Sequence, residues 1–173
     1  KNFAVVRQIK NLWDPQNIFN PGKIIDPPSM NTHLRYQSDQ KTAELKTVYN
    51  FEPEQGIIRA AELCSGSGDC RKTELTGGTM CPSYMVTRNE LDSTRARANI
   101  LRESLTNPEN ELAPLANEDL KQVMELCLSC KGCKRECPSN VDISKLKSEF
   151  LQGYYDTHGV PKRVQRIANF TTN

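Results

Sequence analysis

The chain has 173 residues, of which 36% are hydrophobic, and its mean hydropathy is −0.64. This length allows one ordinary domain or two small ones, at roughly 150 residues per domain. The low apolar content argues against one large self-sufficient core and predicts that metal clusters or a partner domain contribute to stability. The 23 basic and 21 acidic residues nearly cancel, which argues against a nucleic acid as the dominant partner.

The sequence shows neither a membrane span nor a signal peptide. No apolar run approaches the roughly 18 residues that a spanning helix needs. The apolar stretch at residues 3–6 is too short for a secretory leader, and position 1 is Lys rather than an initiator Met. We therefore expect a fragment of a larger protein that is cytoplasmic, or peripheral on the cytoplasmic face of the membrane.

The first 55 residues predict one helix followed by irregular chain. Apolar residues recur at helical spacing over residues 3–13. Asp14-Pro15 should end this helix, because a residue before proline disfavours the α conformation. Residues 29–55 are rich in polar and charged side chains, which predicts an extended linker with little regular structure. Short strand pairing at residues 47–51 is the one exception that we consider.

Residues 56–173 predict a mainly α-helical domain without sustained strand alternation. Ser93 or Thr94 can cap a helix whose apolar face continues to Leu105. A surface loop with two prolines is expected at 106–118. The apolar faces of the following helices are marked by Leu120, Val123, Met124 and Cys127, then by Ile143, Leu146, Phe150 and Tyr154, and finally by Val164, Ile167 and Ala168.

The seven cysteines carry the strongest functional signal. Their odd number excludes complete disulfide pairing within the chain, and metal ligation in a reducing compartment is the better interpretation. The run Cys127-x2-Cys130-x2-Cys133-x3-Cys137-Pro138 has the spacing of a bacterial-type 4Fe–4S ligand run. In two-cluster ferredoxins, the fourth cysteine of such a run ligates the other cluster.

The first cluster therefore needs a thiolate from elsewhere in the chain. Cys81 precedes Pro82 as Cys137 precedes Pro138, and this equivalence predicts that Cys81 is the donor. We call the resulting site cluster one, and its predicted ligands are Cys81, Cys127, Cys130 and Cys133.

Cys137 is then left for a second site with Cys64 and Cys70. A regular run would place a cysteine at position 67, where the chain has Ser67. Three interpretations stay open: a three-iron cluster, a four-iron cluster completed by Ser67, Asp69 or water, and a site without a cluster.

Zinc is the main alternative metal. Zinc sites usually use two well-separated cysteine pairs, whereas here Cys127, Cys130 and Cys133 fall within seven residues, which favours an iron–sulfur cluster. His33 lies in the polar linker and His158 at a predicted helix end. Neither is expected to be a ligand, because imidazole-ligated clusters of the Rieske kind use two histidines on one iron.

Three further motifs accompany the cysteine run: Cys64-x5-Cys70-Arg71-Lys72, Gly78-Thr79-Met80-Cys81-Pro82-Ser83-Tyr84-Met85 and Ser93-Thr94-Arg95-x-Arg97-Ala98-Asn99. Together they resemble the ferredoxin-like part of large FAD-linked dehydrogenases, a group that includes D-lactate, glycolate and D-2-hydroxyglutarate dehydrogenases. The stretch at residues 14–23 is similar to the closing segment of the flavin-oxidase domain in that group.

The resemblance implies a mainly α fold, in which an α-helical ferredoxin at 56–173 follows a short remnant of the FAD-linked oxidase domain at 1–28 and a linker at 29–55. It also implies a function in one-electron relay. FAD in the parent enzyme would oxidise a 2-hydroxy acid, and cluster one would pass the electrons to a second cluster, a cysteine-rich domain, a quinone or a partner protein.

By the same resemblance, Asn20 lies near the flavin and the upstream flavin domain is a partner, while this segment alone is not expected to be catalytic. Arg95 and Arg97 are expected to be structural, with tuning of the cluster potential as the alternative. Two rival functions remain. One is a stand-alone iron–sulfur subunit of a quinone-linked or heterodisulfide-type reductase, and the other is a zinc-stabilised binding module.

Overall fold

A computed structural model describes residues 2–34, 36, 39–40, 42–107 and 113–170, and within these ranges the chain contains helices and irregular segments but no strand. The predicted mainly α fold is confirmed. The α-helices are α1 (Asn2–Trp13), α2 (Ile57–Glu62), α3 (Pro82–Thr87), α4 (Thr94–Thr106), α5 (Glu118–Glu125), α6 (Gly132–Glu136), α7 (Ile143–His158) and α8 (Lys162–Ala168). Short 3-10 turns lie at Glu52–Glu54, Asp69–Arg71, Glu74–Thr76 and Glu90–Asp92.

The chain divides into two compact units, residues 1–41 and residues 42–173. The first unit contains α1, which buries none of its residues. The helix ends at Trp13, as Asp14-Pro15 predicts. The Asp14 carboxylate accepts the backbone N–H groups of Ile18 and Phe19, both at 2.9 Å, and pairs with Lys10. The hydrogen bond from Lys10 is the main reason why the pKa of Asp14 is lowered.

The second unit is built on α4, which packs against α2, α5 and α7. Ala98, Leu101 and Leu105 lie on one face of α4 because they are three and four residues apart, and all three are buried. The Ser93 hydroxyl caps the helix by accepting the Ala96 N–H at 3.0 Å. Other members of the apolar core include Phe51, Ile57, Ile58, Met80, Tyr84, Leu120, Met124, Val141, Ile143, Leu146 and Phe150.

Helix α7 organises the chain around it at both ends. Asp142 caps its start by accepting the Lys145 N–H at 3.0 Å. Near its end, Gly153 lets Leu115 approach so closely that an added Cβ would lie 2.6 Å from the Leu115 side chain. Leu115 belongs to the predicted loop at 106–118, part of which lies outside the described residues. His158 ends α7 with its Nδ1 atom 3.1 Å from the Tyr154 carbonyl oxygen.

Residues 47–51 pack on α7 rather than pairing as a strand. Glu149, which is 2% exposed, accepts the backbone N–H groups of Val48 at 2.9 Å and Tyr49 at 2.8 Å. The ammonium group of Lys145 lies 4.0 Å from the centre of the Phe51 ring. The Glu149 carboxylate thus accepts the backbone N–H groups that would otherwise donate to a neighbouring strand. The predicted domain limits at residues 28 and 55 remain predictions.

Candidate iron–sulfur centres

The four cysteines predicted to hold cluster one line a single pocket. Cys81 comes from the start of α3, Cys127 and Cys130 from the loop before α6, and Cys133 from α6 itself. We call this the cluster-one pocket, and its other lining residues are Thr94, Arg97, Ser129, Lys131, Ile143 and Ser144. The structure therefore brings together thiols that are separated by up to 52 positions in the sequence, from Cys81 to Cys133.

Cys81 is held by a local turn and by two donors from α4. Its φ of 58° places it in the left-handed region, and Pro82, with its fixed φ, begins α3 directly after it. The Sγ atom lies 3.5 Å from the Thr94 hydroxyl and 3.6 Å from Nη1 of Arg97. These two donors favour a negatively charged sulfur, whereas the Asp92 carbonyl oxygen, 3.2 Å from the Sγ atom, accepts from the protonated thiol.

The loop from Cys127 to Cys133 turns twice through the left-handed region, at Ser129 with φ 54° and at Lys131 with φ 62°. Such turns direct successive backbone N–H groups to one side, which creates a concave site for anions. Lys147 of α7 fixes the start of the loop by donating to the Cys127 carbonyl oxygen at 2.6 Å. Burial is the main cause that lowers the pKa of Lys147.

Cys133 faces the N-terminus of α7. Burial raises the pKa of its thiol, while the backbone N–H groups of Ile143 and Ser144 donate to the sulfur and lower that pKa. A coordinating metal deprotonates a thiol outright. The N–H groups and the helix dipole then stabilise the resulting thiolate. The pocket therefore suits a buried anionic cluster at this corner.

The cluster-one pocket is open on one side. Cys81 and Cys133 are buried and Cys127 is half-buried, whereas Cys130 is exposed. Leu128, which is 71% exposed, stands beside it on the same loop. An electron donor or acceptor would therefore come nearest to the cluster at the Cys130 edge.

The three remaining cysteines line a second pocket. Cys70 is buried, Cys64 and Cys137 are half-buried, and burial raises the pKa of the Cys70 thiol. The side-chain amide of Asn99 lies 3.8 Å from Cys64 Sγ. Ser67 also lines this pocket.

Ser67 lines the second pocket, whose three thiols leave a four-iron cluster one ligand short. It lies between Gly66 and Gly68, whose φ values of 78° and 83° let the loop curve around the pocket. Asp69, the other predicted side-chain ligand, is not among the residues that line the pocket. Of the two side chains considered, the geometry therefore favours Ser67.

A carboxylate ties the two Cys-Pro segments together. Glu136, directly before Cys137, accepts the backbone N–H of Thr79 at 2.7 Å, the Thr79 hydroxyl at 2.7 Å and the Met80 N–H at 3.0 Å. The Thr79 N–H is the main cause that lowers the pKa of Glu136. At Gly78, with φ 86°, an added Cβ would lie 2.5 Å from Glu136 Oε2. These contacts fix the chain that leads into Cys81.

Replacing Glu136 with Ala is expected to make cluster one easier to extract. The change frees Thr79 and Met80, so the segment that carries Cys81 fluctuates more. We expect a several-fold faster loss of visible absorbance when a chelator is added to anaerobic protein. Glu103→Ala is the control, because the Glu103 side chain on α4 is 62% exposed and pairs only with neighbours on the surface. Equal rates in the two variants would show that the Glu136 contacts do not secure the cluster.

Other predicted residues lie outside both pockets. Asn20, with φ 48°, and His33, with φ 56°, belong to the first unit. His158 is exposed and its ring stacks on Tyr154 at 4.3 Å. Among the described residues, no three His, Cys, Asp or Glu side chains are close enough to share one metal ion.

Comparison with known proteins agrees with both resemblances, that of the cysteine motifs and that of the stretch at residues 14–23. Residues 63–142 match the model of the 4Fe-4S dicluster domain, and residues 1–24 match the C-terminal domain of FAD linked oxidases. The match at residues 63–142 spans all seven cysteines. The predicted resemblance to the iron–sulfur segment of FAD-linked 2-hydroxy-acid dehydrogenases is confirmed, and so are the predicted iron–sulfur cofactors and the FAD of the parent enzyme.

The similar proteins are much longer than this chain. It is 28% identical to the D-2-hydroxyglutarate dehydrogenase of Escherichia coli K12 over 96% of the chain and 19% of that protein. It is 27% identical to the same enzyme of Haemophilus influenzae over 95% of the chain and 19% of that protein. A third relative is the glycolate oxidase iron-sulfur subunit of E. coli, which is 30% identical over 59% of this chain and 21% of the subunit. The chain thus spans about a fifth of each relative, and no solved structure matches it significantly.

Proposed function

We propose that this chain relays electrons from FAD through a 4Fe–4S cluster in a 2-hydroxy-acid dehydrogenase, and that it is a fragment of that enzyme without the flavin site. The observation that carries the proposal is the cluster-one pocket, where Cys81, Cys127, Cys130 and Cys133 meet at the N-terminus of α7. These four residues are the proposed ligands. When bound, the cluster supplies a centre that accepts and releases one electron at a time.

The chain's own residues hold and insulate the cluster. Thr94, Arg97 and the N–H groups of Ile143 and Ser144 donate toward its sulfur ligands. Among the described residues that line the two pockets, there is no carboxylate or imidazole that could serve as an acid or base. The fragment is therefore proposed to be non-catalytic on its own and to act as part of an oxidoreductase.

The first unit supports an upstream flavin domain as the partner. The apolar side chains of α1 and the following loop are exposed, with Leu12 at 80%, Trp13 at 82% and Phe19 at 70%. Exposed apolar surface of this extent is expected where a larger domain covers it. We propose that residues 1–28 complete the flavin-oxidase domain, with Asn20 near the flavin, and that residues 29–55 connect them to the ferredoxin-like domain at 56–173.

The proposed electron acceptor is a cysteine-rich domain, a quinone or a partner protein that approaches the Cys130 edge. The described residues contain no helix long and apolar enough to cross a membrane. We propose a cytoplasmic location, or peripheral attachment to the cytoplasmic membrane face if the acceptor is a quinone.

A half-reaction experiment on the parent enzyme tests the relay. Under anaerobic conditions, a D-2-hydroxy acid should first bleach the flavin and then produce the paramagnetic signal of the reduced cluster. Cys127→Ala should leave flavin bleaching intact and remove both the signal and turnover with an external acceptor. If turnover with that acceptor survives in Cys127→Ala, then the cluster is not on the electron path.

A second candidate is an iron–sulfur subunit that joins a separate flavin subunit. The similarity to the glycolate oxidase iron-sulfur subunit favours it. The match of residues 1–24 to the flavin-oxidase domain favours a single chain instead. Denaturing electrophoresis of the purified parent protein that contains flavin and iron separates the two candidates: one polypeptide supports the single-chain arrangement, and two polypeptides support a separate flavin subunit.

For the second pocket, we propose a cluster held by Cys64, Cys70 and Cys137, with one iron facing Ser67. Cys137→Ala should lower the iron content while leaving cluster one intact. Ser67→Cys should complete the thiolate set and change the paramagnetic spectrum of this site without changing that of cluster one. Ser29→Cys is the control, because Ser29 belongs to the first unit, where its hydroxyl pairs with Asn31, and does not line the pocket. Unchanged iron in Cys137→Ala would show that the second pocket holds no cluster.

A further inference from the structure

We propose that Arg97 is a buried cation that raises the reduction potential of cluster one. An electron in this domain would therefore reside on cluster one rather than in the second pocket. The inference rests on the proposed function, because it requires a cluster in the cluster-one pocket. Arg97 acts through the Cys81 sulfur, so it is a positioning residue rather than a catalytic one.

The guanidinium of Arg97 is locked in place. The residue is 1% exposed, and its Nε donates to the Val123 carbonyl oxygen at 3.0 Å. Its Nη1 donates to the Ser83 hydroxyl at 2.9 Å and to the Asp92 carbonyl oxygen at 2.6 Å. The same Nη1 lies 3.6 Å from Cys81 Sγ. These hydrogen bonds hold the guanidinium beside the sulfur and keep it from turning away to solvent.

The charge of this group is permanent at any pH that the protein tolerates, because a guanidinium is always protonated in proteins. Reduction adds one negative charge to the cluster. A nearby cation stabilises the reduced state more than the oxidised state, and burial strengthens the effect by lowering the effective dielectric constant. Hydrogen bonds to the cluster sulfurs shift the potential in the same direction.

Other charges near the pocket modify the effect, and one of them, Lys131 in the lining, pairs with Asp142 at 2.8 Å. Asp92 lies 3.4 Å from Nη2 of Arg97 and offsets part of its charge. Lys147 of α7 adds a second cation, which lies beside the ligand loop and donates to the Cys127 carbonyl oxygen. The removal of Asp92 should therefore shift the potential in the direction opposite to the removal of Arg97.

Among the described contacts, no side-chain cation donates to a sulfur of the second pocket as Arg97 does to Cys81. Burial raises the pKa of the Cys70 thiol, and the Arg95 charge only weakly lowers it. Arg95 lines that pocket, but its guanidinium pairs with the Glu90 carboxylate through Nε at 2.8 Å and Nη2 at 2.7 Å. The side chain nearest to Cys64 is the neutral amide of Asn99. The charges of the two pockets thus differ in a way that favours an electron on cluster one.

The test is a potentiometric titration of anaerobically purified protein, followed by the paramagnetic signal of reduced cluster one. Arg97→Met should reduce the equilibrium constant for one-electron reduction by about tenfold, equal to about 59 mV. Asp92→Asn should raise that constant. Arg102→Met is the matched control on the same helix, and it should change the constant by less than about threefold, because Arg102 pairs with Asn99 and Glu103 instead.

The iron and sulfide content of each variant separates the possible failures. If Arg97→Met keeps its full iron and sulfide but has an unchanged potential, this inference is overturned while the proposed function stands. If Arg97→Met does not retain its cluster, Asp92→Asn decides, and an unchanged or lowered constant in that variant overturns the inference. A wild-type protein without iron and sulfide would overturn the proposed function as well.

Discussion

Cys133→Ala is expected to lose cluster one completely, together with about four iron and four sulfide per chain. Cys133 is buried, and its sulfur receives the N–H groups at the start of α7, so no solvent ligand can take its place. Because a metal site forms only in the folded chain, its binding free energy is also folding free energy. The variant should therefore unfold at a clearly lower denaturant concentration than the wild type.

The measurement is iron and sulfide analysis of anaerobic protein, combined with urea unfolding followed by circular dichroism. Cys137→Ala is the comparison, since Cys137 lines the second pocket and should leave cluster one in place. Loss of the cluster-one paramagnetic signal in Cys137→Ala as well would contradict the division of the cysteines into two ligand sets. Full iron in Cys133→Ala would remove Cys133 from the ligands.

Phe150→Ala is expected to lower the free energy of unfolding by about 3–5 kcal/mol, because the ring is fully buried and its removal leaves a cavity in the core. Phe150 lies on α7, two turns after the N–H groups that face Cys133, so the core and the cluster ligands share one helix. The measurement is anaerobic urea unfolding of the cluster-loaded protein, monitored by circular dichroism.

Phe170→Ala is the control for this prediction. Phe170 is 82% exposed, so its removal should change the free energy of unfolding by less than about 0.5 kcal/mol. If Phe150→Ala also lowers the free energy of unfolding by less than about 1 kcal/mol, this would contradict the packing of α7 on α4 and α2 in the structure.

Local signals in the sequence predicted much of the helical domain. Ser93 caps α4 because its hydroxyl reaches the Ala96 N–H within one turn, and such short-range chemistry is readable from sequence. The repeated Cys-Pro pairs predicted that Cys81 joins the ligands of cluster one, and the structure places Cys81 in one pocket with Cys127, Cys130 and Cys133. The ligand sets themselves remain proposals that the variants above test.

No comparable signal in the sequence predicted the long-range contacts around the pockets. Glu136 binds residues 56 and 57 positions away, and Glu149 binds Val48 and Tyr49 about 100 positions away. A glutamate in such a position looks like any solvent-exposed helix residue until the fold places backbone N–H groups against it. Lys147 was missed for the same reason, since its partner at Cys127 lies 20 positions away on another element.

Arg97 shows how burial separates two neighbours that look alike in the sequence. Arg95 and Arg97 both follow the Ser93 cap and both were expected to be structural. The α4 helix turns Arg97 inward to Cys81, while Arg95 pairs with Glu90 and stays 31% exposed. Only the direction of each side chain relative to the core distinguishes their roles, and that direction depends on tertiary packing.

The most direct test of the central claim is metal and sulfide analysis of the protein after anaerobic purification, combined with its visible spectrum. The proposed relay predicts a brown protein with broad absorbance near roughly 400 nm, iron equal to acid-labile sulfide, and about four irons from cluster one plus those of the second pocket. A colourless protein with stoichiometric zinc, reproduced after anaerobic reconstitution with iron and sulfide, would contradict it.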